Sequence, residues 1–285
     1  MGLQLKPFAA WLAMASWLAL SAGLALPAAA LASTQSGHSG DVSATFSFTG
    51  TAPFVKHQRL KIVRAGKVIY DQAVSSPLCA DQCGPGVFGR HASSVSVRDI
   101  ESDGSPDVIL SLFSGGANCC FLDQVFSFDP GTMTYVETER DFAYEGAAIK
   151  DLAHNGHSEF VSSDPAFVGE FTDNAGSGAP IEILTFSARR FHDVTRQYPK
   201  QIAADAAGWL KLFHHPQTKD DTVGLIAAWA ADEELLHNNK LVQLTLASEA
   251  SKGDLLSPPS GGVWPSGKRF IKALNRFLVK NGYEK

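Results

Sequence analysis

From residue 42 the chain alternates apolar and polar positions with a period of two. Val42, Ala44, Phe46 and Phe48 fall on one side of an extended segment. Leu60, Ile62 and Val63 mark a second, and Val68-Ile69-Tyr70 a third across an Ala65-Gly66 turn. That pattern predicts a strand followed by a hairpin. Short apolar runs recur at Val108-Ile109-Leu110, Val125-Phe126 and Ile183-Leu184, so a β-rich region spans 33–198, opening on a polar stretch at 33–40 read as flexible. Past Tyr198-Pro199 the period lengthens. Ile202 to Phe213 and Asp221 to His237 read as helices, the second with Val223, Ile226, Trp229 and Ala230 at helical spacing, and Leu241 to Ala250 as a third. Phe270, Ile271, Leu274, Phe277 and Leu278 form the apolar stripe of a last helix, capped by Ser266 and ended by Gly282. The expected class is α+β, with a helical region at 199–285.

The first 32 residues follow another logic. Lys6 precedes an almost wholly apolar run from Phe8 to Leu26, Pro27 breaks it, and Ala30-Leu31-Ala32 has the small-x-small form of a signal-peptidase site. The expectation is a signal peptide cut after Ala32, and a secreted, periplasmic or cell-envelope location. A retained anchor helix is the competing reading. No later stretch is apolar and long enough to span a membrane, so no transmembrane segment is expected after cleavage.

Charge narrows the partners. The chain carries 24 Lys and Arg against 29 Asp and Glu, a net charge of −5. The imbalance lies at 33–198, with 12 bases and 20 acids, whereas 199–285 has 11 bases and 9 acids. Nucleic acid is therefore excluded as a partner of the middle region. The basic last helix (Lys268, Arg269, Lys272, Arg276, Lys280) could touch an anionic surface, but reads as a solvated face. Four cysteines in an exported chain favour disulfides. Because vicinal cysteines form a strained ring when bonded to each other, the preferred pairing joins Cys119 and Cys120 each to Cys79 or Cys83. Their spacings fit a zinc ribbon poorly.

An internal repeat holds the most chemistry. Asp99-Ile100-Glu101-Ser102-Asp103-Gly104-Ser105-Pro106-Asp107 precedes an apolar strand, and 52 residues later Asp151-Leu152-Ala153-His154-Asn155-Gly156-His157-Ser158-Glu159 does the same. Matched strands follow each loop, giving repeats at about 95–145 and 146–198, and several-stranded units of this length point to propeller-type blades. In the first loop Asp99, Glu101, Asp103 and Asp107 occupy positions 1, 3, 5 and 9, with the Ser105 carbonyl at position 7, an oxygen-rich set suited to calcium. It is not an EF-hand, because Leu110 stands where a bidentate Glu is required. The second loop offers only Asp151, Asn155 and Glu159 and is expected to be a weak site, shaped by bonds from Asp151 to its backbone.

Asp-x-x-x-Asp-Gly-x-x-Asp before an apolar strand resembles the FG-GAP or VCBS repeat of integrin-α-like β-propellers. The tract Leu112-Phe113-Ser114-Gly115-Gly116-Ala117-Asn118-Cys119-Cys120-Phe121 looks like a segment of uncharacterised exported bacterial proteins of that type. The resemblance covers roughly 95–198. It implies a structural Ca2+ held by Asp99, Asp103 and Asp107, with Glu101 longer than usual, and blades that bind a partner. Two repeats are too few to close a ring, so an incomplete sheet assembly capped by helices is expected. No nucleophile elbow is present, since Ala175-Gly176-Ser177-Gly178 lacks the spacing. A Cys119 or Cys120 nucleophile with His154 or His157 has no fixed geometry. The sequence reading is a non-enzymatic, calcium-stabilised binding module for an unknown protein or carbohydrate. The alternative is a secreted hydrolase with its site between the β and helical regions.

Overall fold

The computed structural model describes residues 32–51, 54–79, 83–86, 93–116, 120–143, 146–216, 222–257 and 264–284. Residues 1–31, the body of the expected signal peptide, and Cys119 lie outside them. Three antiparallel sheets are followed by four helices, and none of the described sheets closes into a barrel. The first sheet is a meander of β1 (Ala32–Ser39), β2 (Val42–Thr51), β3 (Phe54–Arg64) and β4 (Lys67–Ala73). The second contains β5 (Gly84–Pro85), β6 (Val95–Arg98), β7 (Asp107–Phe113), β8 (Phe121–Asp129) and β9 (Thr134–Asp141), with both β5 and β6 paired to β7. The third is again a meander, of β10 (Ala148–Lys150), β11 (Glu159–Ser163), β12 (Ile181–Ser187) and β13 (Arg190–Asp193).

Side-chain alternation stacks these sheets face to face. Leu110, Leu112, Leu122 and Phe126 of the second sheet share a core with Val42, Phe46, Leu60 and Ile62 of the first. Their strand neighbours Ile109 and Val125 point the other way and share a second core with Phe160, Leu184 and Phe186 of the third. The middle sheet is thus apolar on both faces, which explains why β7 and β8 read as continuous runs rather than as alternation.

One expectation about the β region fails here. Residues 33–40 do not form a flexible leader, since 32–39 pair in register along β2, from Ala32 opposite Thr49 to Ser39 opposite Val42. The strand has no apolar alternation because polar bonds hold it. Gln35 Oε1 accepts from Ser94 N at 2.6 Å and from Ser94 Oγ at 2.7 Å, and Gly37 packs closely on the β6 backbone, where a Cβ would stand 3.2 Å from Val97 N.

The helices are α1 (Pro199–His214), α2 (Val223–Leu235), α3 (Asn239–Lys252) and α4 (Gly267–Lys280). Pro199 occupies the first turn of α1, where its missing N–H costs nothing. Helix α2 is apolar nearly all round and forms the centre of the bundle. Ile226, Trp229 and Ala230 meet Ala206 and Phe213 of α1, Val242 and Leu246 of α3, and Phe270, Leu274 and Leu278 of α4 in one cluster. The connection between β11 and β12 joins this cluster through Phe167 and Phe171, whose rings meet Phe277 edge to face. Among the described residues no helix is long and apolar enough to cross a membrane.

Candidate functional site

The two repeated loops fold alike. In the first, the Asp99 carboxylate accepts from Asp103 N at 3.0 Å and Gly104 N at 2.8 Å, and Asp103 Oδ1 accepts from Ser105 N at 2.8 Å. In the second, Asp151 accepts from Asn155 N at 3.0 Å and Gly156 N at 2.9 Å, and Asn155 Oδ1 accepts from His157 N at 3.0 Å. Both turns place a residue at positive φ at the fourth position (Ser102 at 53°, His154 at 54°) and a glycine at the sixth (Gly104 at 83°, Gly156 at 90°). Each loop closes on a buried acid at the ninth position. Ile100 N donates to Asp107 Oδ2 at 3.4 Å, and Leu152 N to Glu159 Oε2 at 2.8 Å. The loops also touch. Ser158 N donates to Ile100 O at 3.0 Å, and a Cβ on Gly156 would meet Ser102 Oγ at 2.8 Å.

The first loop opens onto a pocket of about 200 Å3 lined by Glu101, Asp103, Ser105 and Asp107, by Ser127 and Asp129 at the end of β8, and by Arg189 in the β12–β13 turn. Asp99 is not part of that lining, because its carboxylate is spent on the turn. Asp107 is only 4% exposed, and burial pushes its carboxyl up to about 7, against the lowering effect of Ser127 and the Ile100 N–H. The buried Ser127 hydroxyl faces the same carboxyl without reaching a well-formed hydrogen bond. Glu101 is also raised, first by burial and then by Asp103. Arg189 Nη1 lies 3.2 Å from Asp129 Oδ2, and Arg64 Nη1 donates to Ser105 Oγ at 3.2 Å, so two cations flank the acids. Among the described residues no group of three His, Cys, Asp or Glu side chains is arranged so that it could hold a metal ion.

The second loop is built as structure. Glu159, 2% exposed, accepts from Tyr198 Oη at 2.8 Å, and burial together with this carboxylate pushes the phenol up to about 12. The exposed His154 and His157 belong to the turn itself. Sequence reasoning missed Ser127, Asp129 and Arg189, which the stacking of sheets brings to the pocket. Their sequence signal is slight: Asp129 ends a strand before Pro130-Gly131, and its Oδ1 accepts from Gly131 N at 2.9 Å.

The cysteine pairing is corrected. Cys79 is bonded to Cys83, with Cα atoms 5.2 Å apart, and not to Cys119 or Cys120. Cys79 ends a turn at 77–79, and its Cα separation from Cys83 falls in the range a disulfide spans. Cys120 is also disulfide-bonded, and no described cysteine is free.

Between β12 and the ends of α2 and α4 lies a cleft of about 90 Å3 with three acids, Asp164, Glu182 and Asp193. All three are engaged. Tyr283 Oη donates to Asp164 Oδ2 at 2.7 Å, Arg140 Nη2 donates to both Glu182 oxygens at 2.8 and 2.9 Å, and Asp193 Oδ1 accepts from the Thr195 backbone and hydroxyl. Arg196, which also lines the cleft, donates to the carbonyls of Gly282 and Tyr283 at 2.8 and 3.0 Å. Trp229 is buried in the helical core, and Trp209 spends its indole N–H on Asp205 Oδ2 at 2.8 Å.

No family model matches the chain, and no solved structure matches it. It is similar to a probable thylakoid lumen protein of Synechocystis sp. (strain ATCC 27184 / PCC 6803 / Kazusa), 29% identical over 105 residues. The match covers 35% of this chain, which spans 30% of that protein's length.

Proposed function

We propose that this chain is an exported, non-enzymatic binding protein whose first repeat loop holds a structural calcium ion. The observation that carries the reading is the convergence of Glu101, Asp103, Asp107 and Asp129 on one pocket, with Asp107 buried beside the Ser127 hydroxyl. A hard divalent cation would take oxygens from these residues and relieve the burial that otherwise forces Asp107 toward its neutral form. Asp99 then acts by holding the turn that aims Asp103 and Asp107, not as a ligand. The second loop keeps the turn with Asn155 in place of an acid and remains a spacer.

The shared hydrogen-bond scheme at a 52-residue interval supports kinship with FG-GAP or VCBS repeats, the stacked meanders standing for blades of an unclosed assembly. Export is supported by the leader pattern and by the lumenal location given for the Synechocystis relative. The partner is a protein or carbohydrate. Engagement of Asp164, Glu182 and Asp193 in structural bonds weighs against the hydrolase alternative. Isothermal titration of the chelator-treated protein with calcium chloride tests the reading. One site per chain is expected, lost in Asp107→Asn. Titration heats equal to those of buffer would remove the proposal.

A further inference from the structure

Helix α4 carries a feature that neither the loops nor the cores use. Its sequence holds five cations, Lys268, Arg269, Lys272, Arg276 and Lys280, and no acid. At 100° per residue all five fall within an arc of about 120°. That arc is the solvent face, since Phe270, Leu274 and Leu278 on the opposite side are buried. None of the five is in an ion pair among the described residues, whose four salt bridges all lie elsewhere. Among the described residues no acid stands within ion-pair distance of these cations, on a chain of net charge −5.

Apolar groups sit inside and beside this cationic arc. Val279, 59% exposed, lies between Lys268 and Lys272 on the helical wheel, and with Asn275, Arg276 and Lys280 it lines a shallow open groove of about 350 Å3. Helix α3 runs alongside, where Gln243 Nε2 donates to Asn275 Oδ1 at 3.4 Å. It leaves Leu244, 62% exposed, and Leu241, 48% exposed, open to solvent. A purely electrostatic partner would have no use for three exposed aliphatic side chains. An interface of phosphate headgroups over acyl chains satisfies both sets, as lysine and arginine stems lie along apolar matter while their heads reach anions.

We propose that the α3–α4 face docks on an anionic lipid surface, with the α4 cations on the headgroups and Leu244 and Val279 at the acyl boundary. The test uses the protein expressed with its own leader and recovered from the periplasmic fraction. It is sedimented with vesicles of phosphatidylcholine alone or of phosphatidylcholine mixed with anionic phosphatidylglycerol. Binding to the anionic vesicles, lost in high salt, is expected. The exposed triple variant Lys272→Gln/Arg276→Gln/Lys280→Gln should bind them roughly a hundred-fold more weakly, at about one basic contribution per residue removed. Leu244→Ser/Val279→Ser should also bind more weakly, without loss of salt dependence. Circular dichroism shows whether each variant stays folded. Absence of sedimentation, equal binding to both vesicle types, or equal retention of parent and Leu244→Ser/Val279→Ser would overturn the proposal. The last result, coupled with tight binding to heparin, would assign the face to an acidic macromolecule instead.

Discussion

Replacing Asp103 by asparagine separates the two jobs that this side chain can do. Its Oδ1 accepts the Ser105 N–H at 2.8 Å, and in the second loop Asn155 makes the equivalent bond to His157 N at 3.0 Å. The amide therefore preserves the turn and removes only the charge. Asp103 is exposed, so relief of its repulsion with Glu101 is worth a few tenths of a kcal/mol at most. Without divalent ions the variant should melt within about 1 °C of the parent. With calcium at a hundred times the dissociation constant, linkage stabilises the parent by about 2.7 kcal/mol. That corresponds to a rise of roughly 5–10 °C for a chain of this size. Loss of one anionic ligand weakening affinity ten- to hundred-fold leaves about 0.4–1.4 kcal/mol at the same calcium concentration, a rise of roughly 1–6 °C. Scanning calorimetry in chelator and across a calcium series reads both numbers. Equal calcium shifts in parent and Asp103→Asn, or a parent curve indifferent to chelator, would refute the reasoning.

Three other outcomes follow from geometry away from the pocket. Gly224→Ala gains up to about 1 kcal/mol of helix propensity but sets a methyl against Gly176 O and 2.8 Å from Thr172 Cγ2. Overpacking of this kind costs about 1–3 kcal/mol, so a net loss is expected in denaturant melts, and a gain would contradict the close approach of that loop to α2. Asp232 is fully buried, and burial first, then the Asp205 carboxyl, raise its carboxyl well above the usual range. Its contribution is thus complete below about pH 4, where it is neutral in both states, and declines by up to about 1.4 kcal/mol per pH unit as the unfolded chain ionises and the folded one does not. Asp232→Asn should flatten that decline between pH 5 and 8, and parallel stability curves would speak against it. Peptide mapping without reduction should recover Cys79 linked to Cys83, and a cross-link from either to Cys119 or Cys120 would contradict the structure.

Much of this architecture was legible because burial is periodic. Strand β2 alternates, β7 and β8 are apolar on both faces, and α4 has its stripe, so each announces its own environment. Tyr198-Pro199 marked the start of α1 because proline suits a first helical turn. What escaped depends on partners distant in sequence. Strand β1 has no apolar alternation, and its order comes from pairing with β2 and from Gln35 reaching Ser94. The bridge from Cys79 to Cys83 depends on a turn that spacing alone does not reveal. In the candidate site, local acids were readable and their division of labour was not. Asp99 looks like Asp103 in sequence, yet only the fold shows one capping the turn and the other lining the pocket. Asp129 and Arg189 reach the same space through the stacking of two sheets.

The doubly apolar middle sheet has a consequence for dissection of the chain. Cutting on either side of it would strip one face of β7 and β8 and leave Phe126 or Val125 facing water. The molecule accordingly has no seam among its sheets. Fragments ending near residue 145, or beginning there, should be recovered as aggregates rather than as autonomous pieces. Partner mapping by truncation would then report loss of folding in place of loss of contact, and substitution of exposed residues is the informative route.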